Sequence, residues 1–573
     1  MKRSLTMGLG LALAALSVGG AEIKVEKPYF RWLFGGFGFQ HSEANLEALM
    51  TDEFRDQRVL KTFAEISPTF GRVYTGFADQ SREQMDRFAA YYHKTFAKAG
   101  TALYAVPCAL PARAEDEDPN PYAEKVAANL AYLVKERDCR LIKFYCLSNE
   151  LMTGNRWGWF DGTNKVDGTY RMELFKKWNV ALYDAFRQAG FDIALIGSDK
   201  AVTQKPEAAL PVQEWTAKNM DEWLGAYVTH WYVYGFPVGQ LDLWDRYRAH
   251  FNDHVQLALR KHKRYILGEF GFCPVFGKTG VMVDDVGFAL RQPETAAEAV
   301  LCKCEVGLAA MNAGAYGCVS WSFVDYPDPF AIDNGHSAAE RAAYEAGRCG
   351  YRLDLKYNKW GLFHWSDVER DYSATPELYA VGYLAKLFRK NAAVLVCTSD
   401  DALLRSGAVI NPDQSVSIAI VNRGAAREVT VDCSSWADGP KFSTFAKPAR
   451  RYVYEAAKPP LNAFNDLQPP ADTVAAKGGR LTVTLPAKSV TFLTTDYRDA
   501  TPAKVTGVEI VDGTLRWRAS ASADHRYYRV YRDGAQVAST VATSCPVADV
   551  KATYAVRSVD RWGNVGAAGA TGN

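Results

Sequence analysis

The chain has 573 residues, of which 48% are hydrophobic and 23% charged, and its formal net charge is +2. This length exceeds one ordinary domain, and the composition is that of a globular protein rich in aromatic residues. The charge is spread without basic runs, which argues against nucleic acid or an anionic membrane as the main partner. The eleven cysteines form no CxxC pair or regular framework, so we expect mostly buried thiols.

The N-terminus has the layout of a secretory signal peptide over residues 1–21. Lys2 and Arg3 precede an apolar run over 5–18, and small residues end at Ala21. This run is shorter than the roughly 20 residues that a membrane span needs. We therefore predict cleavage before Glu22 and a secreted or periplasmic protein without a membrane span. A single-span anchor is the alternative.

Short apolar runs typical of strands alternate with long amphipathic runs typical of helices from Tyr29 to about Asn391. Eight alternations predict an α/β fold, a closed (β/α)8 TIM barrel over residues 22–392. An open doubly wound sheet also alternates, but no GxGxxG motif follows the first strand. The predicted strands are 29–37, 70–75, 102–108, 141–148, 193–198, 226–231, 265–269 and 317–323.

The apolar pattern changes to period two beyond Ala392, which predicts two small all-β sandwich domains, over 393–499 and 502–573. In the second of these, four aromatic residues fall where a fibronectin type III sandwich keeps its core tryptophan and its tyrosine corner. We expect this domain to be a spacer, with carbohydrate binding as the alternative. The four residues are Trp517, Tyr528, Tyr531 and Tyr554.

Two of the predicted barrel strands end in glutamate. The fourth strand runs into Asn149-Glu150 and the seventh into Gly268-Glu269. Active sites of β/α barrels lie at the C-terminal ends of the strands, so these two carboxyls are expected to face each other. Cleavage of a glycosidic bond needs one carboxyl to protonate the leaving oxygen and another to attack the anomeric carbon. Each dipeptide alone also fits a chance turn, so the prediction depends on their joint placement.

These motifs resemble clan A of the glycoside hydrolases, which are retaining enzymes on a β/α barrel. The resemblance covers about residues 29–391 and implies that Glu150 is the acid/base and Glu269 the nucleophile. The clan includes families 5, 30 and 39. The run 485–493 also resembles the closing strand of the β-sandwich that follows the barrel in several of its families.

The resemblance assigns further residues to the site. Arg72 on strand two stands where the clan keeps an arginine near the nucleophile, and His230 and Tyr232 stand where a histidine or tyrosine contacts it. Trp321 on strand eight matches the tryptophan that floors the sugar subsite. Asn149 is placed to hydrogen-bond the sugar 2-hydroxyl. A guanidinium favours the ionised form of a nearby carboxyl, which is the expected effect of Arg72; a plain structural ion pair is its alternative.

Three more residues complete the substrate-binding candidates. Trp157, in the loop after strand four, and Trp231, on strand six, are able to stack on the apolar faces of sugar rings. Packing in the core or within a loop is the alternative for both. His41 ends the glycine-rich opening 35–41, which suggests a family 5 or family 39 relative.

Other chemistries have less support in the sequence. His250 and His254 are spaced i,i+4 on a predicted helix, but they lack an HExxH motif and a third ligand, so we expect a solvated helix face and no metal or other cofactor. Asp325, after strand eight, is a candidate for binding sugar hydroxyls, with turn chemistry as the alternative.

The sequence therefore predicts a retaining glycoside hydrolase that cleaves β-glycosidic bonds in an oligo- or polysaccharide by double displacement. A non-catalytic carbohydrate-binding protein on a degenerate barrel is the alternative. The prediction specifies neither the sugar nor the oligomeric state.

Overall fold

The computed structural model describes residues 21–26, 33–107, 114, 116–150, 172–200, 210–234, 243–273, 293–325, 361–366, 370–436, 445 and 447–571. The predicted signal peptide lies outside these residues, apart from Ala21. Within the described ranges, no helix combines the length and the apolar character needed to cross a membrane.

Eight parallel strands close into a barrel, which confirms the predicted fold. Strands are numbered in chain order, and β1 (Ala21–Glu26) and β2 (Leu33–Phe34) precede the barrel. Each predicted strand segment overlaps one barrel strand. The barrel strands are β3 (Gly36–Gln40), β4 (Phe70–Tyr74), β5 (Ala102–Val106), β6 (Ile142–Cys146), β7 (Ala194–Lys200), β8 (Ala226–Tyr234), β9 (Arg264–Cys273) and β10 (Gly317–Ser320).

Helices form the outer layer of the barrel and pack apolar side chains against it. Helix α4 (Met172–Ala189), for example, buries Phe175, Trp178 and Leu182, which recur at helical spacing. The other main helices are α1 (Leu60–Ile66), α2 (Arg82–Lys94), α3 (Asn120–Ala131), α5 (Leu210–Asn219), α6 (Leu243–Arg260), α7 (Pro293–Ala313) and α8 (Val381–Leu387). Shorter helical segments are Ser42–Asn45, Glu47–Leu49, Asp52–Phe54, Arg55–Val59, Phe96–Ala99, Tyr132–Glu136, Asp221–Trp223, Pro376–Tyr379 and Ser434–Trp436.

A second, mostly antiparallel β domain follows the barrel and has its own apolar core. Its strands are β11 (Ala392–Ser399), β12 (Leu404–Ile410), β13 (Val416–Asn422), β14 (Arg427–Asp432), β15 (Ala449–Glu455), β16 (Asp472–Val474), β17 (Arg480–Leu485) and β18 (Ser489–Thr494). Strand β11 joins two layers, because its first half pairs with β12 and its second half with β1. The N-terminal strand β1, which the sequence boundary at residue 22 assigned to the barrel, thus belongs to this second domain and also pairs with β14.

The third domain has two antiparallel sheets, as expected for a fibronectin-like sandwich. Trp517, Tyr528 and Tyr554 lie in its core, and the Tyr528 hydroxyl accepts a hydrogen bond from the backbone of Ser520 at 2.8 Å. Tyr531 is half-buried and lies outside that core. The strands are β19 (Glu509–Val511), β20 (Thr514–Arg516), β21 (His525–Arg532), β22 (Ala535–Thr540), β23 (Ser544–Pro546), β24 (Tyr554–Asp560) and β25 (Gly569–Ala570).

A buried polar network joins all three domains at α1. Lys61 of the barrel contacts Glu65 at 2.8 Å and Asp466, from the segment between β15 and β16, at 2.7 Å. The hydroxyl of Tyr527 in the third domain donates to Glu65 at 3.0 Å, and Arg529 pairs with Asp466 at 3.0 Å. The third domain therefore packs directly on the barrel.

Candidate active site

Glu150 and Glu269 face each other at the C-terminal mouth of the barrel. Glu269 lies within β9, and Glu150 follows the end of β6 by four residues. A carboxylate oxygen of each and a ring nitrogen of His230 all lie within 4.8 Å of one another. Gly268 makes room beside Glu269, since a Cβ there would lie 2.6 Å from the hydroxyl of Tyr104.

Among the described residues, three donors hold the carboxylate of Glu269. Tyr74 donates to its Oε1 at 3.1 Å, Tyr232 donates to its Oε2 at 2.6 Å, and Arg72 pairs with its Oε1. Burial raises the pKa of Glu269, against the opposing effects of Arg72 and His230. Arg72 thus lowers the pKa of Glu269, as expected, but the effect of burial is larger. The donors nevertheless orient the carboxylate towards the cleft.

Arg72 is fully buried and organises the floor of the site. Its guanidinium donates to Gln40 at 3.0 Å, to Asn149 at 2.5 Å and to Asp199 at 3.0 Å. Burial opposes its charge, but Glu269 and other neighbours outweigh burial and raise the pKa of Arg72 well above its ordinary value. The charged guanidinium of Arg72 therefore connects Glu269 on β9 to polar side chains at the ends of neighbouring strands.

His230 lies between carboxylates on both sides. Its Nδ1 is 3.0 Å from Glu150 and 3.5 Å from Glu269, and its Nε2 is 2.8 Å from Asp199. Burial disfavours the imidazolium, but Asp199 and Glu269 outweigh it and raise the pKa of His230 to about 10. Burial also opposes ionisation of Asp199, yet His230 and Arg72 lower its pKa. The carboxylates around His230 therefore favour its imidazolium form, and a metal ion at this group would have to displace that proton.

The prediction missed four residues of this site. Asp199 is the most informative, because Ser198-Asp199-Lys200 ends a predicted strand with an acidic residue, the same pattern that identified Glu150 and Glu269. The predicted strand stopped one residue short of it, at Ser198. The other three are Gln40, Tyr74 and Tyr104, which carry no motif and are identified by their contacts with Arg72 and, for the two tyrosines, with Gly268-Glu269.

Trp321 follows the end of β10 at the same mouth. Its ring meets Tyr74 edge-on at 5.6 Å between centroids, next to the nucleophile candidate. Lys303 of α7, buried beneath it, donates to the Trp321 carbonyl at 2.8 Å and pairs with Glu377 at 2.5 Å. Burial raises the pKa of Glu377 to about 7, although Lys303 opposes this. The Lys303–Glu377 pair therefore holds the backbone of the residue predicted to floor the sugar subsite.

Replacing Lys303 by Met is expected to raise KM about tenfold with a small change in kcat, because a hydrogen bond to a charged group is typically worth 1.5–3 kcal/mol. Wild-type KM is also expected to rise as the pH falls through about 7, where Glu377 loses its charge. Glu377→Gln should remove that pH dependence. Steady-state kinetics between pH 5 and 9 on a soluble aryl glycoside checks both results.

A matched control lies two positions along the same helix. Glu305 is equally buried but pairs with Arg423 of the second domain at 2.7 Å. Glu305→Gln should lower thermal stability without changing KM or its pH dependence. Equal KM effects in the Glu305 and Lys303 variants would contradict a specific support of Trp321.

Two predicted substrate contacts are wrong. Trp231 is 6% exposed and packs against Tyr247 and Phe251 of α6, on the face of β8 opposite to His230 and Tyr232. This follows from the alternation of side chains along a strand. His41 is fully buried and pairs with Glu43 at 2.7 Å inside an aromatic cluster. Trp157, the remaining candidate, lies outside the described residues.

Three further polar residues prove to be structural. Asp325 is buried and accepts hydrogen bonds from the backbone of Gly361 at 2.7 Å and from His364 at 2.8 Å, so it fixes a turn. His250 and His254 form no solvated face, because His254 is fully buried and stacks on Tyr265. Burial lowers the pKa of His254 to about 3, which keeps it neutral.

Comparison with known proteins shows the fold. No protein-family model and no curated protein matches the sequence. Among solved structures, the chain is similar to the bacterial orthologue of human α-L-iduronidase, with 16% identity, a TM-score of 0.54, and 96% of this chain and 99% of that one covered. A GH30 endoxylanase from Clostridium papyrosolvens C71 has 12% identity, a TM-score of 0.52 and coverage of 82% and 99%. SrfJ from Salmonella typhimurium has 13% identity, a TM-score of 0.52 and coverage of 83% and 93%.

Proposed function

We propose that this protein is a retaining glycoside hydrolase that cleaves β-glycosidic bonds in an oligo- or polysaccharide by double displacement. The observation that carries the proposal is the closeness of the two carboxyls, with oxygens of Glu150 and Glu269 within 4.8 Å of each other. Retaining enzymes place their carboxyls about 5–5.5 Å apart, whereas inverting enzymes leave about 6.5–9.5 Å for a water molecule. Its barrel fold, shared with solved enzymes that act on sugars, adds support.

In the first step, Glu269 attacks the anomeric carbon while Glu150 protonates the departing oxygen. Tyr74, Tyr232 and Arg72 hold the Glu269 carboxylate, so little reorganisation is needed before attack. Glu150 is less enclosed, with 18% of its side chain exposed at the mouth, where a leaving group would lie. This difference in enclosure supports the assignment of Glu269 as nucleophile and Glu150 as acid/base.

In the second step, water attacks the glycosyl–enzyme and Glu150, now ionised, removes its proton. The negative charge of Glu269 is absent while the covalent bond exists, so the field that favours a protonated Glu150 is weaker. Glu150 therefore acts as a base in this half-reaction. The free site is restored when Glu269 leaves as a carboxylate, again stabilised by Arg72.

The stereochemistry of the first product tests the proposal. Proton NMR recorded during the first minutes of hydrolysis should show the β-anomer of the released sugar before mutarotation produces the α-anomer. A panel of aryl β-glycosides and polysaccharides identifies the substrate for this measurement. First appearance of the α-anomer would contradict double displacement.

Absence of turnover on the whole panel, with binding retained, would instead favour a carbohydrate-binding protein on a degenerate barrel. Affinity electrophoresis in gels containing each polysaccharide separates that result from a missing substrate. The polar network around Glu269 supports the enzyme, since binding alone does not need a nucleophile held by three donors.

A further inference from the structure

Asp199, His230 and Glu150 form a continuous hydrogen-bonded chain from the barrel interior to its mouth. Asp199 and His230 are fully buried, and Glu150 is at the cleft. The distances are 2.8 Å from Asp199 to Nε2 of His230 and 3.0 Å from Nδ1 to Glu150. Because both ring nitrogens face carboxylate oxygens, the imidazolium satisfies both acceptors, whereas a neutral ring satisfies only one.

We propose that the Asp199–His230 pair is a proton relay that supplies Glu150 with the proton it delivers to the glycosidic oxygen. The inference rests on the function proposed above. His230 and Asp199 are positioning residues in this scheme, since only Glu150 touches the reacting atoms.

The relay conserves protons over one catalytic cycle. When a substrate covers Glu150, the proton on Nδ1 moves to the Glu150 oxygen and then to the departing glycosidic oxygen, leaving a neutral imidazole. The Nε2–H bond to Asp199 remains intact throughout. In the second half-reaction, the proton taken from water by Glu150 returns to Nδ1, so the imidazolium is restored and no external acid is consumed.

The charges around the ring explain why the proton rests on His230 in the free site. Asp199 on β7 and Glu269 on β9 favour the cation and raise the pKa of His230 to about 10. Arg72 on β4 pairs with Asp199, and Lys200 on β7 lies close enough to Glu150 to interact with its charge. Removing bulk water from Glu150 by substrate binding disfavours its ionised form, which drives the transfer.

Leaving groups of different acidity test the relay. A phenyl glycoside needs protonation as it departs, whereas a 2,4-dinitrophenyl glycoside does not. In His230→Gln, which cannot carry the proton, kcat/KM for the phenyl substrate should fall about 100-fold while that for the dinitrophenyl substrate falls only a few-fold. Asp199→Asn, which removes the charge that stabilises the imidazolium, should show the same pattern in weaker form.

The pH profile gives a second readout. The alkaline limb of kcat/KM reports loss of the proton shared by Glu150 and His230, so it should move to lower pH in His230→Gln. His254→Gln, which changes a buried histidine outside the site, is the matched control and should keep both the wild-type limb and the leaving-group pattern. Circular dichroism at each pH confirms that every variant stays folded.

If His230→Gln lost kcat/KM equally on both substrates and kept the wild-type alkaline limb, the proton relay would be refuted. The proposed glycosidase function would not be affected by that result. A different observation would refute the glycosidase itself. If a Glu269 variant kept full activity, Glu269 would not be the nucleophile, whatever the His230 variants show.

Discussion

Replacing Glu269 by Gln is expected to lower kcat/KM for an activated aryl glycoside by about 10⁴-fold or more, the scale seen when a covalent nucleophile is removed. The amide cannot attack the anomeric carbon, so no glycosyl–enzyme forms. Steady-state rates with a 2,4-dinitrophenyl glycoside measure the loss, and mass spectrometry with a 2-fluoro glycoside tests for the covalent adduct on the wild type. Turnover at the wild-type rate in this variant would refute the assignment.

The variant should remain folded. Burial already raises the pKa of Glu269, which means that this environment penalises its charge and accepts a neutral amide. Arg72 retains Asp199 as an anionic partner at 3.0 Å, so its own charge is not left uncompensated. A Tm close to that of the wild type would show that the lost activity is chemical and not structural.

Replacing Glu150 by Ala is expected to produce a different pattern, with a loss of about 10²–10⁴-fold for a phenyl glycoside. With a dinitrophenyl glycoside the first step proceeds without an acid, and the covalent intermediate accumulates because water lacks its base. Azide should then raise the rate on the order of 10²-fold, since a small anionic nucleophile needs no base. Removing the Glu150 side chain at the open mouth of the barrel leaves room for azide.

The product identifies which carboxyl was removed. In Glu150→Ala, azide attacks the intermediate from the face that water uses and gives a β-glycosyl azide, detectable by NMR. In a Glu269 variant, azide replaces the nucleophile itself and gives an α-glycosyl azide. If Glu150→Ala gave the α-glycosyl azide, Glu150 would be the nucleophile and Glu269 the acid/base.

Much of this site was predictable from strand ends. Glu150 and Glu269 are each the first acidic residue at the end of an apolar run, and the eight alternations place both at one mouth of a closed barrel. Arg72 and Tyr232 follow from the resemblance, and the structure brings both into contact with Glu269. Asp199 directly follows the predicted strand 193–198, so the same strand-end rule also applies to it.

The wrong predictions share a physical cause. Trp231 and His230 are neighbours on β8, so their side chains point to opposite faces, and only one of them enters the barrel. His41 sits one residue beyond β3 and turns into a buried aromatic cluster. An aromatic residue or histidine near a strand end indicates proximity to the mouth, but its direction depends on register, which the pattern alone does not determine.

The second-domain boundary was missed for a related reason. Apolar and polar residues alternate over 21–26, which indicates a strand, and Ile23 and Val25 are buried. A pattern of six residues does not determine which sheet the strand joins. Their partners lie in β11 and β14, far along the chain.

The pairing of β1 also sets an order of assembly. Most neighbouring strands of the barrel also follow one another in the chain, but the backbone of Glu22 bonds to Asp400, which is 378 positions later. Until β11 and β14 emerge, β1 has two bare edges, and unpaired edges invite contacts with other chains. Closing so long a loop adds entropy cost and slows folding. A nascent chain arrested after the barrel would therefore be prone to aggregation, because β11 and β14 of the second domain cover the two edges of β1.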